Sequence, residues 1–348
     1  MNSTKGRHGV LVRWVLPTIG AALAIAALFW LYQDIDPERF LTAVATAKLN
    51  WLSVLAGTIL LEQLTRGWKW RQILFDLKPI SSVRLFGAIL AGYGVAILIP
   101  LGVSPFVRSW LIARLEGLRF ACVLTTSAIE RFLDGIVFAL FATLVAIVGQ
   151  IPEVEGDVRT GLAVAGGLNL ILFSALLYML FVGRSPLSRK EARISRWIDW
   201  LATKGGARLE GLRNAIQEGI IWPRDRRRQI GAVLASVLMK IIAATHFLWA
   251  GLAVGIVLAP FDYLFLMIFA GFSLVLARFI RVPGGFIIGS GFALNLLGVA
   301  DEQALAMVLF NHIITIVLMV GLGLLFLWRS GIDIRDARPT EAEANASA

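Results

Sequence analysis

Long apolar runs separated by short polar stretches recur along the whole chain. Four of them approach the length that an α-helix needs to cross a bilayer, and they lie at 15–32, 135–149, 161–182 and 263–277. A soluble domain of 348 residues would also carry more charge than the 16% found here. The pattern therefore predicts an all-α, polytopic helical membrane protein with about seven to nine spans.

Two of the apolar segments, 87–105 and 283–299, are interrupted by glycine and proline. Irregular backbone is tolerated inside a membrane where it is buried in protein or lines a wet cavity. One broken segment in each half of a chain is typical of a transporter site, although glycines that let helices pack closely are the alternative. Basic residues flank the first segment on both sides, so we expect it to enter and leave on one side. Whether the second crosses or re-enters stays open.

The net charge of +10 is concentrated in one loop. Residues 184–228 carry twelve Lys or Arg against five Asp or Glu, and further basic residues precede the first span. This bias predicts that the loop and the N-terminus face the cytoplasm, in the cell inner membrane. Apolar residues at helical spacing within the loop predict amphipathic helices that bind anionic lipid headgroups, and nucleic acid is not an expected partner. Residues 1–330 are predicted to form one transmembrane domain, followed by a disordered polar tail at 331–348.

A short helix is predicted on the outer surface, after the first span. Asp36 is suited to cap it and Pro37 to occupy its first turn. Leu41 and Val44 would then belong to an apolar face that lies on the membrane.

The stretch AIERFLDGIVF (128–138) places three charges within an apolar helix. Glu130 and Asp134 are four residues apart and share a helix face, whereas Arg131 is rotated by about 100° and needs a partner on another segment, or water. Three interpretations stay open: a structural ion pair, a polar cavity that contacts a lipid headgroup, and an interfacial position. Arg108 follows the first broken segment, where it either binds a phosphate or is simply a cytoplasmic basic residue.

Few residues suggest catalysis. The single cysteine, Cys122, excludes an internal disulfide, and the three histidines are scattered along the chain. We find no Ser/His/Asp order, P-loop or metal-ligand spacing. We therefore expect no enzyme, no cofactor and no metal.

Four stretches occur in an order that resembles a known family. They are RGWKWRQIL (66–74), GYGVAILIPLGVSPFVRSWLIAR (92–114), IERFLDG (129–135) and PGGFIIGSGFALNLLGV (283–299). Together they resemble the flippase-like integral membrane family named for the transmembrane region of lysylphosphatidylglycerol synthase. The resemblance implies a domain that moves or presents lipids, without the soluble synthase domain of the aminoacyl-transferring members.

The chain matches the family pattern at some positions and departs from it at others. The matching residues are Pro100, Arg108, Pro283, Gly284 and Gly285. The departures are Ile97 for an asparagine, Ser104-Pro105 for Gly-Glu, Ser290 for an acidic residue and Asn311-His312 for Tyr-Arg. They indicate a divergent branch with a less polar cargo, and a branch associated with hopanoid-biosynthesis loci is the one suggested.

The leading functional hypothesis is an inner-membrane lipid translocase or lipid-transport protein, acting on a phospholipid, a hopanoid or a lipid-linked molecule. The alternatives are a non-transporting membrane scaffold that recruits a lipid-modifying enzyme, with lipid-biosynthesis enzymes as its partners, and a proton-coupled carrier of small solutes. The candidate substrate-binding residues are Arg108, Glu130, Arg131, Asp134, Pro100, Pro283, Gly284, Gly285 and Asn295. The expected partners are membrane lipids.

Overall fold

The computed structural model describes residues 16–98, 103–148, 156–182, 219–279 and 282–331. Within these ranges every regular element is an α-helix. In chain order the helices are α1 (Leu16–Tyr32), α2 (Pro37–Ala45), α3 (Leu49–Leu74), α4 (Ser82–Leu98), α5 (Ser104–Glu116), α6 (Phe120–Val148), α7 (Gly156–Val182), α8 (Arg226–Ala253), α9 (Pro260–Phe279), α10 (Gly285–Leu296) and α11 (Asp301–Ser330). The predicted all-α class is confirmed.

Several helices have the length and apolar surface that a membrane requires. Helices α6, α7, α8, α9 and α11 can each cross, and α2 with α3 adds a sixth span if this pair, bent by 76°, is counted as one. In α7, Ile171 and Tyr178 are each 69% exposed, as expected of side chains that face lipid. The described residues thus give five or six long spans against the seven to nine predicted, because the apolar parts of α1, α4 and α10 are shorter.

The chain divides into two compact units. Unit 1 comprises residues 1–59, 138–167 and 240–315. Unit 2 comprises residues 60–137, 168–239 and 316–348. The extent of a single transmembrane domain over 1–330 stays a prediction.

In unit 2, α4 and α5 form an antiparallel helical hairpin across the first broken segment. Gly92 of α4 lies against Ser104 and Arg108 of α5, since a Cβ on Gly92 would sit 2.9 Å from the Ser104 carbonyl oxygen. The hairpin has 17 residues in one arm and 13 in the other. These arms are about 26 and 20 Å long, short of the hydrocarbon thickness of about 30 Å. The geometry agrees with a segment that enters and leaves on one side.

An ion-pair group joins the two ends of this hairpin. Glu116 is the last residue of α5. Its Oε2 atom forms an ion pair with Lys78 Nζ at 2.9 Å, and its carboxylate is also paired with Arg84. Burial alone would raise the pKa of Glu116, but hydrogen bonds from the two basic side chains outweigh it and hold the pKa below its ordinary value. Gly117 then ends α5 in the left-handed conformation, with φ of 65°, which glycine adopts without strain.

In unit 1, α9 and α10 form a second antiparallel hairpin. Gly285 packs on Ala277 and Gly289 on Ser273, so closely that a Cβ on either glycine would lie 2.2 Å from the facing side chain. Gly284 begins α10 with φ of 74°, a conformation that also favours glycine. Helix α10 has 12 residues, about 18 Å, and is too short to cross the bilayer by itself. By length, α10 is therefore not a membrane span of its own.

Candidate functional site: a buried charge cluster

Helix α3 presents three charged residues on one face. Glu62, Arg66 and Lys69 are spaced by four and three residues, which places them one above the other along the helix. Arg66 donates to Glu62 through a 2.9 Å ion pair, and the Lys69 side chain is fully buried. A lysine is almost never fully buried unless it is paired, so its partners lie on a neighbouring helix.

Helix α6 supplies those partners. Glu130 and Asp134 stand on one face, as their spacing predicts, and the face is turned towards α3. Lys69 Nζ lies 2.5 Å from Asp134 Oδ1 and 3.4 Å from Glu130 Oε1. Arg66 Nη1 adds a 3.4 Å contact to Asp134 Oδ2. One lysine thus bridges two carboxylates, which holds α3 and α6 in register.

Helix α5 contributes Arg108, which has no exposed surface. Its Nη2 lies 2.6 Å from Glu130 Oε2 and also donates to the Ser127 hydroxyl. The guanidinium lies 4.7 Å from the centre of the Trp70 ring, a cation–π contact. The Glu130 oxygens have no aligned hydrogen bond among the described residues, so charge attraction is what holds Glu130 and Arg108 together.

Arg131 points to a different partner. Its Nη2 donates to the Tyr93 hydroxyl at 3.2 Å, and its guanidinium is 5.8 Å from the Tyr93 ring centre. Arg66 approaches the same ring at 5.7 Å. The partner of Arg131 therefore lies on α4, in agreement with the expectation that it needed another segment, but it is a tyrosine and not a carboxylate. Arg131 and Tyr93 are both partly exposed, as is Glu62.

The structure brings together only part of the predicted site. Arg108, Glu130, Arg131 and Asp134 meet in unit 2, and we call them, with Glu62, Arg66 and Lys69, the charge cluster. Pro283, Gly284, Gly285 and Asn295 belong to unit 1, where the first three make the turn and the close packing of the α9–α10 hairpin. The Asn295 Oδ1 atom is buried without a hydrogen bond among the described residues. Pro100 lies outside the described residues.

The central cation, Lys69, is not among the site residues predicted from the sequence, and neither are Glu62 and Arg66 beside it. The spacing of these three residues does put them on one face of α3, which is a signal that a search for charged helix faces would find. Trp70 and Tyr93, whose rings contact the arginines, give no such signal because aromatic residues are common in membrane helices.

Stability does not explain a cluster of this kind. Replacing buried ion pairs by well-packed apolar side chains is often neutral or stabilising, because desolvation offsets much of the attraction. Charges kept inside an apolar helical protein are instead typical of substrate and ion pathways. Within the described residues, no group of three or more His, Cys, Asp or Glu side chains is placed to hold a metal ion.

The fold and the charge cluster define a multi-pass helical membrane protein with charged side chains buried among its helices. In a comparison with known families, residues 18–323 match the family model of the lysylphosphatidylglycerol synthase transmembrane region. The chain therefore belongs to this family, and its function is lipid-related. No curated protein matches it significantly.

Proposed function

We propose that this protein moves or presents a lipid across or within the cell inner membrane, and that the charge cluster receives the lipid headgroup. The observation that carries the proposal is the complete burial of Arg108, on a hairpin too short to cross the bilayer, together with Glu130 of the adjoining helix α6. Charged groups in such a position are expected to face cargo or a polar path. The family membership supports a lipid as that cargo.

The arrangement of the helices suggests where the headgroup and the apolar part of the lipid would each lie. The headgroup enters from the side of Arg131 and Tyr93, whose side chains are partly exposed. The acyl or polycyclic part stays in the bilayer along apolar surfaces such as that of α7. The headgroup would cross a shorter apolar distance at the α4–α5 hairpin, because each arm of the hairpin is shorter than the hydrocarbon layer is thick. A phospholipid, a hopanoid or a lipid-linked molecule would fit this scheme.

Loop 184–228 adds a second part to the proposal. Its residues up to 218 lie outside the described residues, as do residues 1–15, so their cytoplasmic side and their binding of anionic headgroups stay predictions. The described end of the loop is tied to the C-terminal end of α3 and the turn that follows it: Arg228 donates to Gln72 at 3.1 Å, and the Arg224 backbone N–H donates to Asp76 at 2.8 Å. Basic residues at this end of unit 2 support a cytoplasmic location.

A reconstituted lipid-movement assay tests the proposal. The purified protein is placed in vesicles that contain a trace of fluorescent phospholipid, and an impermeant quencher is added outside. Protein-free vesicles lose about half of their fluorescence, because only the outer leaflet is reached; a translocase lets the loss approach completeness. Quenching that stays at the protein-free level would contradict a translocase and favour the scaffold, whose test is co-purification with lipid-biosynthesis enzymes.

A further inference from the structure

Within the described part of the chain, the charge cluster holds more cations than carboxylates. It contains four cationic side chains, Arg66, Lys69, Arg108 and Arg131, and three carboxylates, Glu62, Glu130 and Asp134. One positive charge is therefore in excess. Arg108 and Arg131 approach adjacent positions of α4, since Arg108 packs on Gly92 and Arg131 donates to the Tyr93 hydroxyl. An unbalanced buried charge is costly in a medium of low polarity, so the cluster is suited to receive one further negative charge.

Several hydrogen-bond donors in and beside the charge cluster are buried and have no hydrogen-bond partner among the described residues. Arg108 Nε and Nη1 are buried without a hydrogen-bond partner among the described residues, and so is Arg131 Nε. The Ser104 hydroxyl, one helical turn before Arg108, is buried and unpartnered as well. Both Ser104 Oγ and Arg108 Cβ lie 3.2 Å from the point that a Cβ on Gly92 would occupy, so they face the same surface of α4.

This combination of donors selects one ligand chemistry. Two guanidinium groups with free N–H atoms and a nearby hydroxyl require a ligand with several acceptor oxygens, and the excess charge requires one negative charge. We propose that the charge cluster binds a phosphate group carrying a single negative charge, with Arg108, Arg131 and Ser104 as its donors. The phosphate belongs either to the phosphodiester of a lipid headgroup or to a soluble phosphate compound. The assignment of the phosphate to a lipid headgroup rests on the proposed function. The binding of a phosphate group by the charge cluster does not.

Arg131→Gln is the decisive variant. Arg131 makes no ion pair with a carboxylate in the described part of the chain, so neutralising it leaves no carboxylate stranded and removes the excess charge. The variant is expected to fold, and to unfold at a temperature equal to or above that of the wild type when no phosphate is present. Arg114→Gln is the matched control, because it removes the same charge from an exposed position on α5. Ser104→Ala removes a donor with little change in volume and is the second variant.

The measurement is the shift of the thermal unfolding midpoint of the full chain in an uncharged detergent. Inorganic phosphate is compared with chloride at equal ionic strength, and short-chain phosphatidylglycerol with a diacylglycerol of the same chains. Wild type and Arg114→Gln should be stabilised by the phosphate-bearing ligand and not by its control. Arg131→Gln should weaken that binding by about tenfold or more, and Ser104→Ala by a smaller factor.

Each outcome decides something. Stabilisation by phosphatidylglycerol alone assigns the site to a lipid headgroup, and stabilisation by inorganic phosphate alone assigns it to a soluble phosphate compound. Stabilisation by both ligands shows that the site binds the phosphate group whichever molecule carries it. No stabilisation by either ligand, or equal loss in Arg131→Gln and Arg114→Gln, overturns the inference. Phosphate binding by a protein that does not move lipid would contradict the proposed function but support the phosphate site. Lipid movement without phosphate binding would support the proposed function but contradict the phosphate site.

Discussion

Lys69→Met removes the cation that joins two carboxylates at the centre of the charge cluster. Methionine has nearly the same length and no charge. Asp134 then loses its 2.5 Å partner, while its contact with Arg66 stays at 3.4 Å, and Glu130 loses one of its contacts. Because Lys69 is fully buried, the stranded carboxylate is expected to lower the free energy of unfolding by about 3–5 kcal/mol.

A double variant separates the stranded charge from the loss of packing. Lys69→Met combined with Asp134→Asn removes both members of the closest pair, so the double variant should be less destabilised than the sum of the two single variants by about 2 kcal/mol or more. Lys78→Met is the control for the substitution itself. Lys78 pairs with Glu116 at 2.9 Å but its side chain is 41% exposed, and such pairs contribute about 0–1 kcal/mol.

Equilibrium unfolding in mixed micelles, followed by tryptophan fluorescence, provides the free energies for all four variants. The reasoning is refuted if Lys69→Met costs no more than Lys78→Met, or if the double variant loses the full sum of the single losses. Either result would mean that the charged side chains of the cluster do not stabilise one another in their buried positions.

Three further predictions concern other parts of the chain. As the pH falls from about 5 towards 3, the thermal midpoint should drop more in the wild type than in Glu116→Gln, because a carboxylate with a lowered pKa stabilises the fold above its ordinary value of 4.5 and loses this effect as it is protonated. Gly289→Ala should destabilise the α9–α10 hairpin by about 1–3 kcal/mol, since its Cβ would lie 2.2 Å from a serine side chain, whereas Gly321→Ala, with open space around it, should not. Gly205→Cys in a cysteine-free background should resist labelling from outside intact cells, and ready labelling would overturn the predicted topology.

Local signals in the sequence account for much of the fold. Asp36 Oδ1 accepts the backbone N–H of Glu38 at 2.9 Å and Pro37 occupies the first position of α2, as the capping rules predict. Both broken segments coincide with interruptions of the helices, because glycine and proline act on the backbone where they stand. The hairpins themselves could not be predicted, since the facing residues Ser273 and Ala277 are identified only once α9 packs on α10.

The candidate site could be predicted in part for a similar reason. Spacing alone places Glu130 and Asp134 on one face and turns Arg131 away from it, and the structure agrees on both points. Which face of α3 meets α6 depends on packing along the whole length of both helices, and no local pattern records it. Lys69 was missed for that reason: a single lysine near a helix end has the same sequence pattern whether it is buried or faces water.

The central claim is that the charge cluster receives the headgroup of a lipid that the protein moves. The most direct test is the initial rate of lipid movement in vesicles for the wild type, Arg131→Gln and Arg114→Gln, at equal amounts of folded protein. The account predicts that Arg131→Gln slows the rate by about tenfold or more while Arg114→Gln keeps the wild-type rate, since only the former removes a charged hydrogen-bond donor to the headgroup. Equal rates for all three proteins would contradict it.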